Sequence, residues 1–292
     1  MFSFTQMRPN SYQTDETEMT NFDPKPISKA LIDARRACKP IPGFPAELPQ
    51  SLEQAYAVQL ESIANWDADL IGFKVGGVPP KFQDQFPTIW QAGPMFADQQ
   101  YTVKDGESIY VTVFEGGFAA YEAELVFVLK DLDKLDAPLE SIEETHKFIK
   151  AVHLGAEIAS SPNPEVNNLG PGSIISDMGN NAGVVLGPEA PLSILRDFSK
   201  LEVVLHIDDV EIGRATPNPG ENGPLGALRF ILNHFISLKG QLELPENCLI
   251  SSGAITGVHQ SHAGTKGHIK FGDLAEYELK MVPRKRTDVG VV

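Results

Sequence analysis

The spacing of apolar residues changes character partway along the chain. Over residues 27–38 the pattern ISKALIDARRAC suits a helix, and the Pro-rich KPIPGFPAELP after it must be a loop, because proline lacks the amide that a helix needs. Ser51 with Gln54 three residues on makes a capping box. The run SLEQAYAVQLESIANW then sets Ala55, Val58, Gln59 and Ser62 on neighbouring faces, which predicts a second helix. Short β-like runs follow at residues 70–75, 109–114, 120–129, 151–159 and 201–207. Asp208-Asp209 reads as a hairpin turn into residues 210–212. Residues 224–238 read as an amphipathic helix with Leu225, Leu228, Leu232 and Phe235 on one stripe. Strands over 248–252, 268–271 and 276–282 close the chain, and the basic tail Arg284-Lys285-Arg286 is expected to be solvated.

Helices first and strands afterwards, without βαβ alternation, predict an α+β fold. Residues 1–26 are polar and Thr-rich and end in Asp-Pro-Lys-Pro, so they read as a loosely ordered arm. The folded unit is expected over 27–292 as one domain, its helical part (27–68) packed on the strands. No repeat of solenoid or propeller length is visible.

Composition narrows the function classes. A chain of 292 residues, 42% hydrophobic and 22% charged, is an ordinary globular protein with a sizeable core. The formal net charge of -15 repels nucleic-acid phosphate and anionic membrane, so neither partner class is expected. Cys38 and Cys248 are far apart and without metal-ligand spacing, which fits a reducing, cytoplasmic setting. Neither a signal-type apolar run at the N-terminus nor a membrane-length apolar stretch is present in the sequence.

Candidate chemistry begins at Tyr121-Glu122-Ala123-Glu124-Leu125-Val126-Phe127-Val128-Leu129, a strand-like run entering a core. Residues i and i+2 of a strand share a face, so Glu122 and Glu124 would stand about 6–7 Å apart at their Cα atoms. Two adjacent carboxylates plus a third from another strand suit a hard cation such as Mg²⁺ or Mn²⁺. Alone, E-x-E is a weak signal that two solvated glutamates near a strand end also explain. Glu157 is the natural third ligand, one carboxylate in the apolar run AVHLGAEIA, although pairing with Lys or Arg would also account for it. Lys74, a lone cation in IGFKVGG, fits either a snorkelling side chain at a strand end or an acid/base whose pKa a neighbouring metal lowers. His259 and His262 lack a third ligand at suitable spacing, and no G-x-S-x-G elbow is present.

Taken together, Ala55-Tyr56-Ala57-Val58-Gln59, Gly72-Phe73-Lys74-Val75-Gly76, Glu122-Ala123-Glu124, Glu157-Ile158 and Asn181-Ala182 leading to Val185-Leu186-Gly187 resemble the hydratase/decarboxylase branch of the fumarylacetoacetate hydrolase superfamily. Pro224-Leu225-Gly226-Ala227-Leu228 and the segment 249–257 resemble later family segments, so the likeness spans roughly residues 27–282. The resemblance implies a mixed β-roll with N-terminal helices. It implies Mg²⁺ or Mn²⁺ on Glu122, Glu124 and Glu157, Lys74 as acid/base, and a small 2-oxo acid contacted by Lys74, Asn181, Gly183 and Gln59. The implied reaction is hydration of a 2-oxo-alkenoate such as 2-oxopent-4-enoate. Alternatives are decarboxylation of a diacid such as 4-oxalocrotonate, acylpyruvate C–C hydrolysis, and a non-catalytic subunit that keeps the fold. Homo-oligomers are expected by analogy. The chain departs from the family in three places. Ser160-Ser161-Pro162 stands where Asp-Ser-Arg is common, Asn180-Asn181-Ala182-Gly183 where Asp-Asn-Ala-Ser is common, and the acidic pair after the Lys motif is missing. An insertion at 163–173 is expected to reshape the pocket mouth.

Overall fold

The structure, a computed structural model, describes residues 22–286. Residues 1–21 of the expected arm lie outside the described residues. The first helix, α1 (Pro24–Ala37), starts three residues ahead of Ile27, because Asp23 accepts from the Lys25 amide as N-cap and Pro24 occupies the first turn, where it forfeits no hydrogen bond. It ends where Cys38 turns left-handed at φ 51°. In α2 (Leu52–Ala64) the Ser51 hydroxyl accepts from the Gln54 amide at 3.2 Å. The reciprocal bond of the expected capping box is displaced by one residue, since Gln54 Oε1 accepts from Gln50 N at 2.9 Å. Among the described residues the other two α-helices are α3 (Pro171–Ser176) and α4 (Pro224–Ser237).

The strands form two mixed sheets. In the larger sheet, β2 (Trp90–Phe96), β1 (Leu70–Gly77), β11 (Leu249–Ser251), β5 (Phe118–Leu129), β6 (Ile149–Ser161), β7 (Asn181–Leu186) and β3 (Gln100–Thr102) lie side by side in that order, with β8 (Glu189–Ala190) on β6 and β12 (His259–Gln260) on β5. The smaller sheet runs β10 (Val210–Ala215), β9 (Val203–Ile207), β13 (Lys266–Phe271), β14 (Ala275–Pro283), β4 (Ser108–Val113). Parallel pairs β1–β11, β3–β7 and β4–β14 are set among antiparallel ones. The hairpin between β9 and β10 turns at Asp208 and Asp209, both with positive φ, as the sequence predicted.

Alternation along β5 decides where the site lies. Tyr121, Ala123, Leu125 and Phe127 enter the main core with Leu228, Ile231 and Phe235 of α4 and Ile269, Phe271 and Leu279 of the smaller sheet. The intervening positions, Glu122 and Glu124 among them, therefore point to the opposite face. Burying each large apolar side chain of that core contributes about 1.5–3 kcal/mol, so the register of β5 is held by its apolar half and the glutamates follow.

Two details differ from expectation. β2 was not legible as a strand because it contains Gly93 and Pro94. It is nevertheless tolerated, because β2 is the sheet's edge and Pro94 there breaks no continuing ladder. Arg284 is not solvated: it is buried, reaches Ala182 O at 3.4 Å and Asp98 at 3.5 Å, and lies over the Phe114 ring, while Lys285 and Arg286 are exposed. Among the described residues no helix is long and apolar enough to cross a membrane.

Candidate metal centre

β5 and β6 are long antiparallel partners, and their register sets Glu122 directly opposite Glu157 and Glu124 opposite Gly155. The three carboxylates consequently share one face, with an oxygen of each lying within 4.8 Å of the others. Gly155 is required there, since a Cβ would stand 2.5 Å from Val185 O and 2.6 Å from Val126 Cγ2. Glu124 and Glu157 are fully buried and Glu122 nearly so.

Their hydrogen bonds leave specific oxygens uncommitted. Glu124 Oε2 accepts from Ser251 Oγ at 2.5 Å and from Gly253 N at 2.9 Å, whereas its Oε1 has no partner. Glu157 Oε1 accepts from Asn181 Nδ2 at 3.0 Å. Its Oε2 faces the Lys74 ammonium at 3.2 Å, an ion pair without an aligned hydrogen bond. Three carboxylates against one ammonium leave two negative charges in a buried site, a costly arrangement unless protons or a cation neutralise them. Burial first, then the charge of Glu157, pushes the Glu122 carboxyl up to about 8. Burial, followed by the charges of Glu157 and Glu122, holds Glu124 well above the usual carboxylate range. A divalent cation would cancel the remaining charge and occupy the orphaned oxygens, so the all-oxygen donor set fits Mg²⁺ or Mn²⁺.

Lys74 lies in the middle of β1 and is buried, not snorkelling. Burial pulls its ammonium down, but the carboxylates of Glu157, Glu122 and Glu124 outweigh that and hold it above its ordinary range. A cation among those carboxylates would remove much of that field and lower the Lys74 pKa. Asn180 Oδ1 accepts from Lys74 Nζ at 3.4 Å.

Beside these groups opens a cavity of about 450 Å³, lined by Lys74, Glu122, Asn180, Gln91, Ser252 and the backbone around Gly253. The insertion does reach the cavity: Asn167 lines its wall, and Asn167 Oδ1 accepts from Asn180 Nδ2 at 2.8 Å. The other expected contact residues are placed differently. Asn181 supports Glu157 from behind rather than lining the cavity. Gln59 gives its amide to Ala92 O and Ile175 O, both at 2.9 Å, tying α2 to β2 and α3. Gly183 pairs with Ile158, and a Cβ on it would meet the Tyr101 ring at 2.7 Å, so its place is one of packing. Asn180, Gln91 and Ser252 went unrecognised in the sequence; adjacency to the Lys74 and Asn181 motifs was the available signal.

Beneath the site lies Arg35, fully buried on α1. It donates to Asp177 Oδ1 at 2.6 Å, Asn181 O at 2.7 Å and Asp177 O at 2.8 Å, while Ser161 Oγ donates to Asp177 Oδ2 at 2.5 Å. This ion pair fixes the turn that presents Asn180 and Asn181.

No family profile and no curated protein matches this sequence. Among solved structures, the chain is similar to 4-oxalocrotonate decarboxylase from Pseudomonas putida G7 complexed with magnesium and adipate, with TM-score 0.68 and 19% identity over 92% of this chain and 99% of that one. The same enzyme complexed with calcium and acetate gives TM-score 0.68 at 19% identity, covering 89% and 97% of the respective chains. Fumarylpyruvate hydrolase from Pseudomonas aeruginosa in complex with Mn²⁺ and pyruvate gives TM-score 0.50 at 14% identity, covering 73% and 89%. The chain shares the fold of these enzymes, an α+β fold with mixed sheets, as the resemblance implied.

Proposed function

We propose that this chain is a divalent-metal-dependent lyase of the hydratase/decarboxylase branch, adding water to a small 2-oxo-alkenoate by way of its enolate. One observation carries the reading: three buried carboxylates from two strands converge within 4.8 Å, with uncommitted oxygens, beside a cavity that holds Lys74. Solved structures of like fold complexed with magnesium, with Mn²⁺ and with pyruvate support it. Glu122, Glu124 and Glu157 would hold the metal, which supplies Lewis-acid stabilisation of negative charge developing on the 2-oxo group. Lys74 stands within reach of both the carboxylates and the cavity, so its Nζ is the group that moves protons at the substrate carbon. Asn180 orients that ammonium, and Ser251 and the Gly253 amide hold Glu124 in place.

Decarboxylation of a 2-oxo diacid is the second reading, favoured by the fold likeness to 4-oxalocrotonate decarboxylase. Calorimetric titration of Mn²⁺ into metal-free protein, followed by product analysis with 2-oxopent-4-enoate and 4-oxalocrotonate, separates the two. The expected result is saturable Mn²⁺ binding abolished in Glu124→Ala, a hydrated product from the monoacid, and turnover lowered about 10²–10⁴-fold in Lys74→Ala with metal binding retained. Mn²⁺ binding that is absent, or unaltered in Glu124→Ala, would reject the metal-dependent reading.

A further inference from the structure

We infer that the cavity beyond Lys74 selects a substrate with one carboxylate and a neutral tail, and that Gln91 and Ser252 hold the hydroxyl that hydration leaves on that tail. The inference rests on the 2-oxo acid reading above and adds to it which acids the cavity takes.

The charge of the lining comes first. Among the described residues that line the cavity, Lys74 and Glu122 are the charged ones. The remainder are amides, small residues, prolines, Trp90 and the aliphatic Ile174, Ile255 and Val258. Three glutamates, a divalent cation and Lys74 sum to zero, so one substrate carboxylate finds a partner at the metal and the ammonium. With Lys74 engaged by the first, a second carboxylate on a chain short enough to lie inside would meet no further cation among the described lining residues and would stay desolvated and unpaired.

Two orphaned polar groups mark where the tail would lie. Gln91 is 4% exposed and Ser252 2%, both line the cavity, and Gln91 Oε1 and Ser252 Oγ have no hydrogen-bond partner in the protein. Buried polar atoms are nearly always paired, so a pair left open on a cavity wall is fitted to something that enters it. The register places them. Gly76 is opposite Gln91 across β1 and β2, and a Cβ on Gly76 would lie 3.4 Å from Lys74 Nζ. Residues directly opposite share a face, so the Gln91 side chain rises beside the Lys74 ammonium. Ser252 sits between Ser251 and Gly253, the two residues that hold Glu124. An oxygen acceptor and a hydroxyl beside the proton-transferring group suit a hydroxyl on the tail, the group that hydration of an alkene creates.

The test compares ligands of one chain length on the Mn²⁺-loaded full chain by isothermal titration: 2-oxopentanoate, 4-hydroxy-2-oxopentanoate and 2-oxoglutarate, with oxalate as the reference for metal chelation. Expected are oxalate binding, tightest tail binding for the hydroxy acid, and 2-oxoglutarate weaker than 2-oxopentanoate by about a hundredfold. Gln91→Met should erase the advantage of the hydroxy acid while oxalate binds as before, and Asn218→Lys, which adds a cation to the wall, should recover 2-oxoglutarate. Oxalate binding together with equal affinity for 2-oxoglutarate and 2-oxopentanoate in the unaltered protein would overturn the selectivity alone. Failure of oxalate itself would overturn the metal reading beneath it. The wild-type ligand series decides the matter even if a variant does not fold.

Discussion

Asn181 donates to Glu157 Oε1 at 3.0 Å, and its own backbone carbonyl is held by Arg35 at 2.7 Å, so it would act on a metal at this site through Glu157 and not from the cavity wall. Removing such a support leaves the carboxylate free to rotate, and support residues of this kind are worth about 10–100-fold in metal affinity. Asn181→Ala is therefore expected to weaken Mn²⁺ binding by about that factor, read by calorimetry, with Lys74 still in place; an unchanged affinity would show that Glu157 needs no such anchor. The carboxylates were legible because an i, i+2 pair in an apolar strand breaks local preference without a local reason. Gln59 and Gly183 were assigned to substrate through a motif, and a motif does not say which way an amide points. Only packing sends the Gln59 amide to two backbone carbonyls.

β2 and the turn at 178–180 approach so closely that side chains are excluded from both. A Cβ on Gly93 would lie 2.5 Å from Gly179 Cα and 2.5 Å from Met178 O, and Gly179 itself holds φ +66°. The contact is backbone against backbone, so no rotamer change relieves it. Gly93→Ala is expected to destabilise the fold by about 1–3 kcal/mol, measured by denaturant unfolding, and to weaken substrate-analogue binding by shifting Asn180 away from Lys74. A variant of full stability and affinity would mean that the turn yields freely. Neither β2 nor this turn was legible as structure, because glycine and proline carry no periodic signal and the reason for Gly93 lies 86 residues away. The long strands β5 and β6 were legible, since their apolar runs exceed what a loop tolerates.

Across the whole molecule the centre imposes a pH dependence whose sign follows from its carboxyls. Burial and the charge of Glu157 raise Glu122 to about 8 in the folded protein, and burial with its neighbours' charges raises Glu124 as well. In the unfolded chain both return to about 4.3. The metal-free native state therefore binds more protons than the unfolded one, so Glu122 makes its stability fall as pH rises from about 4.5 to about 8, and Glu124 adds a fall of the same sign. The metal competes with those protons, so the stabilisation by excess Mg²⁺ should grow across the same window. Calorimetric Tm values with EDTA and with Mg²⁺ check this, and Glu122→Gln should flatten both slopes. A metal-free slope that is the same in Glu122→Gln would contradict the assigned shift.

Periodicity and composition by themselves determined that this chain is an α+β protein with glutamates at 122, 124 and 157 in strands and a lysine at 74 in another. These are local properties, because strand alternation is set by the backbone and the apolar runs decide which face is buried. Tertiary structure decided that Glu122 stands opposite Glu157, that Lys74 reaches that pair across β11, and that the amides and the Ser252 hydroxyl, not further cations, line the remaining wall. Register between strands depends on the collective packing of two sheets against α4, a quantity that no single segment of sequence contains.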